Sequence, residues 1–270
     1  MPSRLSEVAA RLRAAGCVFA EEEAALLLAA ATGTELETLV TRRVSGLPLE
    51  HLLGWVDFAG GRYAVDPGVF VPRRRSELLV AAVVHIVSVE SGAEIGPKRC
   101  GLSRPVVVEL CCGAGAIGAA ILERVPAAEL WAADLDPVAV ACARRNLPPE
   151  RVCEGDLYDA LPVGLRGRVD VLVANAPYVP TTAIATMPPE ARDHEPRLSL
   201  DGGADGVDLH RRVADGAADW LAPGGVLVIE TSRSQALLTA AACRCAGLDP
   251  RVEIDDDLEA TAVVARLSPR

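Results

Sequence analysis

The stretch VDVLVANAPYVP ends an apolar run in Asn175, Ala176, Pro177 and Tyr178, so an amide, a stiff backbone and a phenol arrive together. Asn and Pro are common in turns, and read alone this is an Asn-initiated turn with a packed tyrosine. Three other stretches carry residue types suited to a nucleotide-like ligand. VVVELCCGAGAIG, residues 106–118, places Glu109, Gly113 and Gly115 between an apolar run and a helical pattern. Glycines there let backbone approach a ligand without a Cβ clash, although any tight strand-to-helix turn has the same look. Some twenty residues on, WAADLDP brings Asp134, a spacing suited to a carboxylate that accepts from ribose hydroxyls. Asp136, just before Pro137, is the better helix cap, which leaves Asp134 for a ligand. Asp156 in EGDLYDAL stands at a third strand end, where an adenine ring would lie.

These residues need elements to hold them. From residue 106 onward, apolar runs (VVVEL, ELWAAD, RVCEGD, VDVLVAN, GVLVIE) alternate with helical patterns, and RVEIDDDLEATAVVARL reads as two strands joined by an acidic turn. Continuous apolar strands separated by helices predict an α/β doubly wound, mainly parallel sheet. Ligands in such sheets bind outside the carboxyl ends of the strands, where all four stretches fall. Residues 1–54 read as short helices, with Leu5, Val8, Ala9 and Leu12 at helical spacing, a second helix ended by Gly33, and a Thr34–Glu37 capping box opening a third. Residues 55–75, with Gly60-Gly61 and Pro67-Gly68, predict a hairpin linker, and Ser76 opens a helix in 76–270. Residues 91–105 read as a surface loop.

Of the 270 residues half are hydrophobic and only 3% aromatic, so the core is aliphatic. The formal net charge of −10 argues against a broad electrostatic grip on nucleic acid. Eight cysteines form no CxxC pair, and with only four histidines they read as thiols in a reducing cytosol, with no metal site expected. The amino-terminal residues lack the apolar segment of a signal peptide, and no apolar run reaches the length of a membrane span.

The Asn-Ala-Pro-Tyr stretch resembles the Asn-Pro-Pro-Tyr signature of class I methyltransferases that modify planar nitrogens. The ordered blocks FAGGRYAVDPGVFVPRRRSELLV, VVVELCCGAGAIG, NAPYVP, EPRLSLDGGADGVDLHRRV, APGGVLVIETSRSQ and RVEIDDDLEATAVVARL narrow it. Together they resemble the HemK/PrmC family of protein glutamine methyltransferases over nearly the whole chain. The resemblance implies an S-adenosylmethionine-dependent, Rossmann-like class I domain behind a helical substrate-recognition domain and a hairpin. It implies that Glu109, Gly113 and Gly115 line the methionine part of the cofactor, that Asp134 holds the ribose and that Asp156 and Leu157 flank the adenine, with Cys111, Ile117, Leu135 and Asn175 also at the cofactor. It implies that Asn175, with the backbone carbonyl of Ala176, grips the target amide, that Pro177 restrains the loop and that Tyr178 packs on the acceptor. Arg73 and Glu195 would meet the substrate. A cytoplasmic monomer acting on a protein, with translation release factors the family's best-known target, is the resulting expectation.

The chain departs from the family pattern in places. Cys111 stands where a glycine is usual, and a Cβ there demands a negative φ or some strain. Arg74 and Arg75 add positive charge in PRRRSE, and the glycine after Glu230 is missing, while Gln235 remains. Two alternatives stay open on the residues. One is methylation of an amino group in nucleic acid, disfavoured by the charge and the few aromatics. The other is a cofactor-binding module without transfer activity, suggested by Cys111 and Ala176.

Overall fold

The computed structural model describes residues 3–91 and 104–268, so most of the expected loop at 91–105 lies outside the described residues. Four helices come first: α1 (Arg4–Ala14), α2 (Ala20–Ala30), α3 (Gly33–Val44) and α4 (Leu49–Leu53). The Ser3 hydroxyl accepts from the Ser6 N–H and starts α1. Val8, Ala9 and Leu12 then line one face and meet Leu27, Leu36 and Val40 in a core of their own. The Thr34–Glu37 capping box does not form. Thr32 is the N-cap residue of α3, and Thr34 already lies inside the helix, where its carbonyl accepts from the Thr38 hydroxyl. Glu37 instead takes Arg4 and Arg11 of α1 as partners, so a tertiary ion pair displaces the local cap. Gly33, expected to end α2, opens α3, because α2 stops at Ala30.

A hairpin follows, β1 (Trp55–Phe58) and β2 (Gly61–Ala64), in register Phe58↔Gly61. Ala59 and Gly60 between them both have positive φ, the geometry of a two-residue turn whose twist matches the strands. No strand forms around Pro67-Gly68; the chain turns there and enters a 3₁₀ turn, Arg74–Ser76. Ser76 closes that turn rather than opening α5 (Glu77–Ser91).

The remaining elements are β3 (Val106–Leu110), α6 (Ala116–Arg124), β4 (Glu129–Asp134), α7 (Pro137–Ala143), β5 (Val152–Glu154), β6 (Val169–Ala174), α8 (Pro189–His194), α9 (Asp208–Trp220), β7 (Leu221–Glu230), α10 (Ala236–Cys245), β8 (Leu248–Asp255) and β9 (Ala260–Leu267). The third apolar run yields only three strand residues and ends at Glu154, two before Asp156, whereas β7 begins earlier than GVLVIE suggests.

The seven strands stand in the order β5-β4-β3-β6-β7-β9-β8. All pairs are parallel except β7–β9 and β8–β9, the two terminal strands joined by the acidic turn. Helices cover both faces, which is why β3 and β6 are buried at every position and read as unbroken apolar runs. Each fully buried Leu, Ile or Val in these strands contributes about 1.5–3 kcal/mol relative to exposure. The chain moves outward from β3 through β4 to β5, then returns to the other side of β3 as β6. That reversal opens a crevice between the carboxyl ends of β3 and β6, where Leu110 and Ala174 are paired neighbours.

Candidate active site

A cavity of about 1200 Å³ lies at this crevice. Its floor comes from the β3–α6 turn. Gly113 has φ +55 with open space where a Cβ would stand, so the backbone faces the cavity unscreened. The Gly113 N–H is held by Asp134 Oδ2 at 2.8 Å, and Asp134 Oδ1 accepts from the Asp136 N–H at 2.9 Å. Asp134 thus ties the ends of two parallel strands together, and each of its oxygens keeps a lone pair free for a further donor. Burial pushes its carboxyl above the usual range, against the backbone hydrogen bonds that lower it. Asp136 caps α7 by accepting from the Val138 N–H, which leaves Asp134 to the cavity as its spacing suggested.

Cys111, Ile117, Leu135, Asp156 and Leu157 line the same cavity. Cys111 has φ +54 and Leu157 φ +49. A side chain in this left-handed region costs roughly 1–2 kcal/mol, so the turn keeps a glycine-like shape under strain. Burial also pushes the Cys111 thiol far up, so it is a neutral wall rather than a nucleophile. Asp156 is held by Arg212 at 2.8 Å, with both groups substantially exposed.

Two residues expected at the cofactor lie elsewhere. Glu109 is 1% exposed and sits beneath the turn, where Oε2 accepts from the Gly118 N–H at 2.9 Å. Burial raises its pKa to about 8, so the carboxyl is protonated near neutral pH. Gly115 is the N-cap residue of α6, and a Cβ on it would strike Leu147 at 2.7 Å, so its smallness serves packing against the segment after α7. Neither borders the cavity.

The loop after β6 forms the opposite wall, with Asn175, Ala176, Pro177 and Tyr178 all bordering the cavity. The Asn175 Nδ2 donates to Ser76 Oγ at 3.1 Å. This fixes the amide so that Oδ1 has no donor among the described residues. Tyr178 is clamped at both ends. Its hydroxyl donates to Glu230 Oε1 at 3.0 Å, and its carbonyl accepts from Gln235 Nε2 at 2.8 Å. Arg75 also reaches Glu230 Oε1 at 3.2 Å and lies over the Tyr178 ring at 5.9 Å. Burial holds the phenol well above its ordinary pKa, so it remains a neutral donor. Arg73 and Glu195 both border the cavity, paired with each other, and Glu195 also accepts from the Val71 N–H.

Ser76, Glu230 and Gln235 were absent from the sequence-based site. Their only sequence signal was their place in the ordered blocks, since none lies near Asn175 or Tyr178 in the chain. The far end of the cavity is bordered by the helical amino-terminal region, through Cys17, Val18, Phe19 and Arg43. Among the described residues no cluster of three or more His, Cys, Asp or Glu could hold a metal ion. No helix there is long and apolar enough to cross a membrane.

The pocket suits S-adenosylmethionine: an open backbone turn, a half-buried carboxylate at the end of β4, and apolar walls from Ile117 and Leu157. Residues 98–188 match the methyltransferase small domain model. The chain is 38% identical over 199 residues to the release factor glutamine methyltransferase of Streptomyces coelicolor, covering 73% of this chain and 67% of that protein. It is 32% identical over 279 residues to that of Bifidobacterium longum, covering 90% and 91%. It is also 36% identical over 211 residues to a 4-amino-L-phenylalanine/4-methylamino-L-phenylalanine methyltransferase of Streptomyces pristinaespiralis, covering 77% and 70%. Among solved structures, a T. thermophilus 16S rRNA methyltransferase in complex with AdoMet and guanosine shares the fold, with TM-score 0.51 and 18% identity over 78% of this chain and 49% of that one. The turn after β3, the Asn175 loop and these relatives converge: the chain belongs to the HemK/PrmC family of release factor glutamine methyltransferases, enzymes that use S-adenosylmethionine.

Proposed function

We propose that this protein methylates the side-chain amide nitrogen of a glutamine in a protein, a translation release factor being the first candidate. The observation that carries the reading is the Asn175–Ser76 hydrogen bond, which leaves Asn175 Oδ1 free beside the cavity. Bound S-adenosylmethionine supplies an electrophilic methyl group. The Gly113 backbone, Asp134 and Leu157 would hold it, with Asp156 beside them; all four line the cavity.

The acceptor is a poor nucleophile, because an amide nitrogen shares its lone pair with the carbonyl. Asn175 Oδ1 and the Ala176 carbonyl together offer two acceptors for the two N–H groups of a primary amide. Positive charge gathering on that nitrogen in the transition state strengthens both hydrogen bonds. Holding the nitrogen in one orientation removes rotational freedom that a free amide would have to lose. Tyr178, fixed by Glu230 and Gln235, supplies a rigid aromatic wall for a planar group. No strong general base is required, since the product nitrogen loses its proton to solvent. Ala176 serves as well as proline in one respect, because a backbone carbonyl is all that position contributes, and Pro177 still biases it toward extended geometry. Residues 1–54 form the substrate-recognition part in this reading, since Val18 and Phe19 are exposed at the far end of the same cavity.

The Streptomyces pristinaespiralis relative motivates a second acceptor class, a small aromatic amine. The test is incubation of the purified protein with methyl-labelled S-adenosylmethionine and, separately, release factors, total cell protein and 4-amino-L-phenylalanine, read by mass spectrometry. Label on a glutamine side chain supports the proposal. Label only on the amine moves the activity to the second class, and no label in any arm defeats both.

A further inference from the structure

A run of three arginines is usually a solvated face. In the linker, however, two of the three are braced by buried carboxylates: Arg73 by Glu195, 6% exposed, and Arg75 by Glu230, 2% exposed. The Arg75–Glu230 bond at 3.2 Å uses only Nε, and neither Nη of Arg75 makes a hydrogen bond among the described residues. The Arg75 side chain is 44% exposed. Arg74 is exposed and has no side-chain partner among the described residues. All three arginines border a second cavity of about 540 Å³, whose opposite wall is the β8–β9 turn with Asp257 and Glu259. Arg73 and Arg75 border the large cavity as well, so the run is the partition between the two. The acidic turn takes neither Arg74 nor Arg75 as an ion partner; among the described residues Arg233 pairs with it, at Asp256.

The geometry points to Arg75, with Arg74 beside it, as a specificity-determining residue that receives a carboxylate of the acceptor protein, from an Asp or Glu within a few residues of the methylated glutamine. The inference rests on the glutamine-amide reading of the site. Arg75 adjoins Ser76, which holds Asn175, and its guanidinium lies over the Tyr178 ring at 5.9 Å. The flank of a glutamine gripped at Asn175 therefore comes within reach of that guanidinium. Two uncommitted Nη groups in one plane match the two oxygens of a carboxylate. Glu230 already fixes the stem of the fork, so less side-chain freedom is lost when the guest arrives. The wall opposite decides what kind of anion fits. Asp257 and Glu259 repel a polyanion such as a nucleic-acid strand, which cannot turn every charge toward the arginines, whereas a single carboxylate can.

Paired synthetic peptides test this. Each carries one glutamine, and the two differ only in having Asp or its neutral counterpart Asn close to it. Fluorescence anisotropy with S-adenosylhomocysteine present should show the Asp peptide binding about tenfold more tightly, the worth of a charge-assisted hydrogen bond. The margin should narrow as salt is raised. Arg75→Gln should reduce it to about twofold, and Arg74→Gln, which breaks no side-chain bond in the folded protein, should narrow it by a smaller factor. Transfer of a labelled methyl group supplies the second readout: the ratio of kcat/KM for the two peptides should fall about fivefold in Arg75→Gln. Damage to Tyr178 or to the fold lowers both peptides alike and leaves that ratio unchanged. Equal affinity of the wild-type protein for the two peptides, or a margin that survives Arg75→Gln, overturns the inference. Turnover of 4-amino-L-phenylalanine that Arg75→Gln weakens, without any peptide preference, moves the carboxylate to a free amino acid and overturns it also. If the wild-type protein labels neither peptide, the proposed function fails, and the binding margin still decides the role of Arg75.

Discussion

Asn175 and Ser76 are 99 positions apart, and the side-chain amide of one donates to the hydroxyl of the other at 3.1 Å. The hydroxyl belongs to a buried residue in a 3₁₀ turn, so it cannot drift with solvent. Ser76→Ala should therefore release the Asn175 amide to rotate. A fall in kcat of about tenfold is expected, the worth of one hydrogen bond to a buried polar group, with cofactor affinity by calorimetry unchanged. Asn175→Ala removes the acceptor itself and should cost a hundredfold or more. Undiminished turnover in Asn175→Ala would remove this residue from the acceptor site.

Asp134 binds backbone on both sides and borders the cavity, so its loss acts on the cofactor first. Asp134→Ala should weaken S-adenosylmethionine binding at least about tenfold, because the Gly113 N–H loses its anchor along with the ligand's own acceptor. Titration calorimetry reads this without an acceptor substrate; an unaltered dissociation constant would contradict the assignment.

The strain at Cys111 predicts an ordered response to substitution. Glycine at this φ relieves the Cβ clash but gives up packing, so Cys111→Gly should stay within about 1 kcal/mol of the parent. A β-branched residue meets the clash in full, and Cys111→Val should destabilise by about 2 kcal/mol and weaken cofactor binding. Denaturant melts compare the two, and the reverse order would show that the turn relaxes away from the left-handed region.

Glu109 makes stability depend on pH. Its folded pKa of about 8 lies above the ordinary 4.5, because burial favours the protonated form. The folded state keeps a proton that the unfolded chain releases, so this contribution is complete below pH 4.5 and shrinks as pH rises towards 8, by up to about 1.4 kcal/mol per unit. Glu109→Gln removes the proton while an amide oxygen can still accept from the Gly118 N–H. The variant should lose less stability than the parent between pH 5 and pH 8; equal slopes for the two proteins would contradict the buried, protonated carboxyl.

How much of this was legible in the sequence depends on whether the cause was local. The succession of strands along the chain and the role of Asp136 as a cap follow from runs and spacings within a dozen residues, and both appear in the fold; the order in which the strands lie side by side does not. Cys111 was read as requiring a negative φ or strain, and strain is what the turn holds. Glu109 and Gly115 were assigned to the cofactor from their place in a Gly-rich motif. Burial on both faces of β3 hides which side a residue points to, and Gly115 turned out to make room for Leu147. The partners of Asn175 and Tyr178, namely Ser76, Glu230 and Gln235, come from distant segments that only the assembled sheet brings together. Thr34 and Glu37 satisfied a local rule that two arginines on a neighbouring helix overrode.

The loop beyond Tyr178 is stitched to a second loop along its length: Val179 N–H to the Leu200 carbonyl, Gly202 N–H to the Val179 carbonyl, and Thr181 N–H to the Gly203 carbonyl, each at 2.9 Å. The two segments are in effect one short ribbon added to the rim. Neither can flap alone, because lifting one strips backbone partners from the other. Deuterium should enter the amides of Val179, Thr181 and Gly202 at a shared rate, set by the rarer event in which the whole ribbon peels away. Along this rim the cavity is therefore bounded by a wall and not by a door that either segment could open alone.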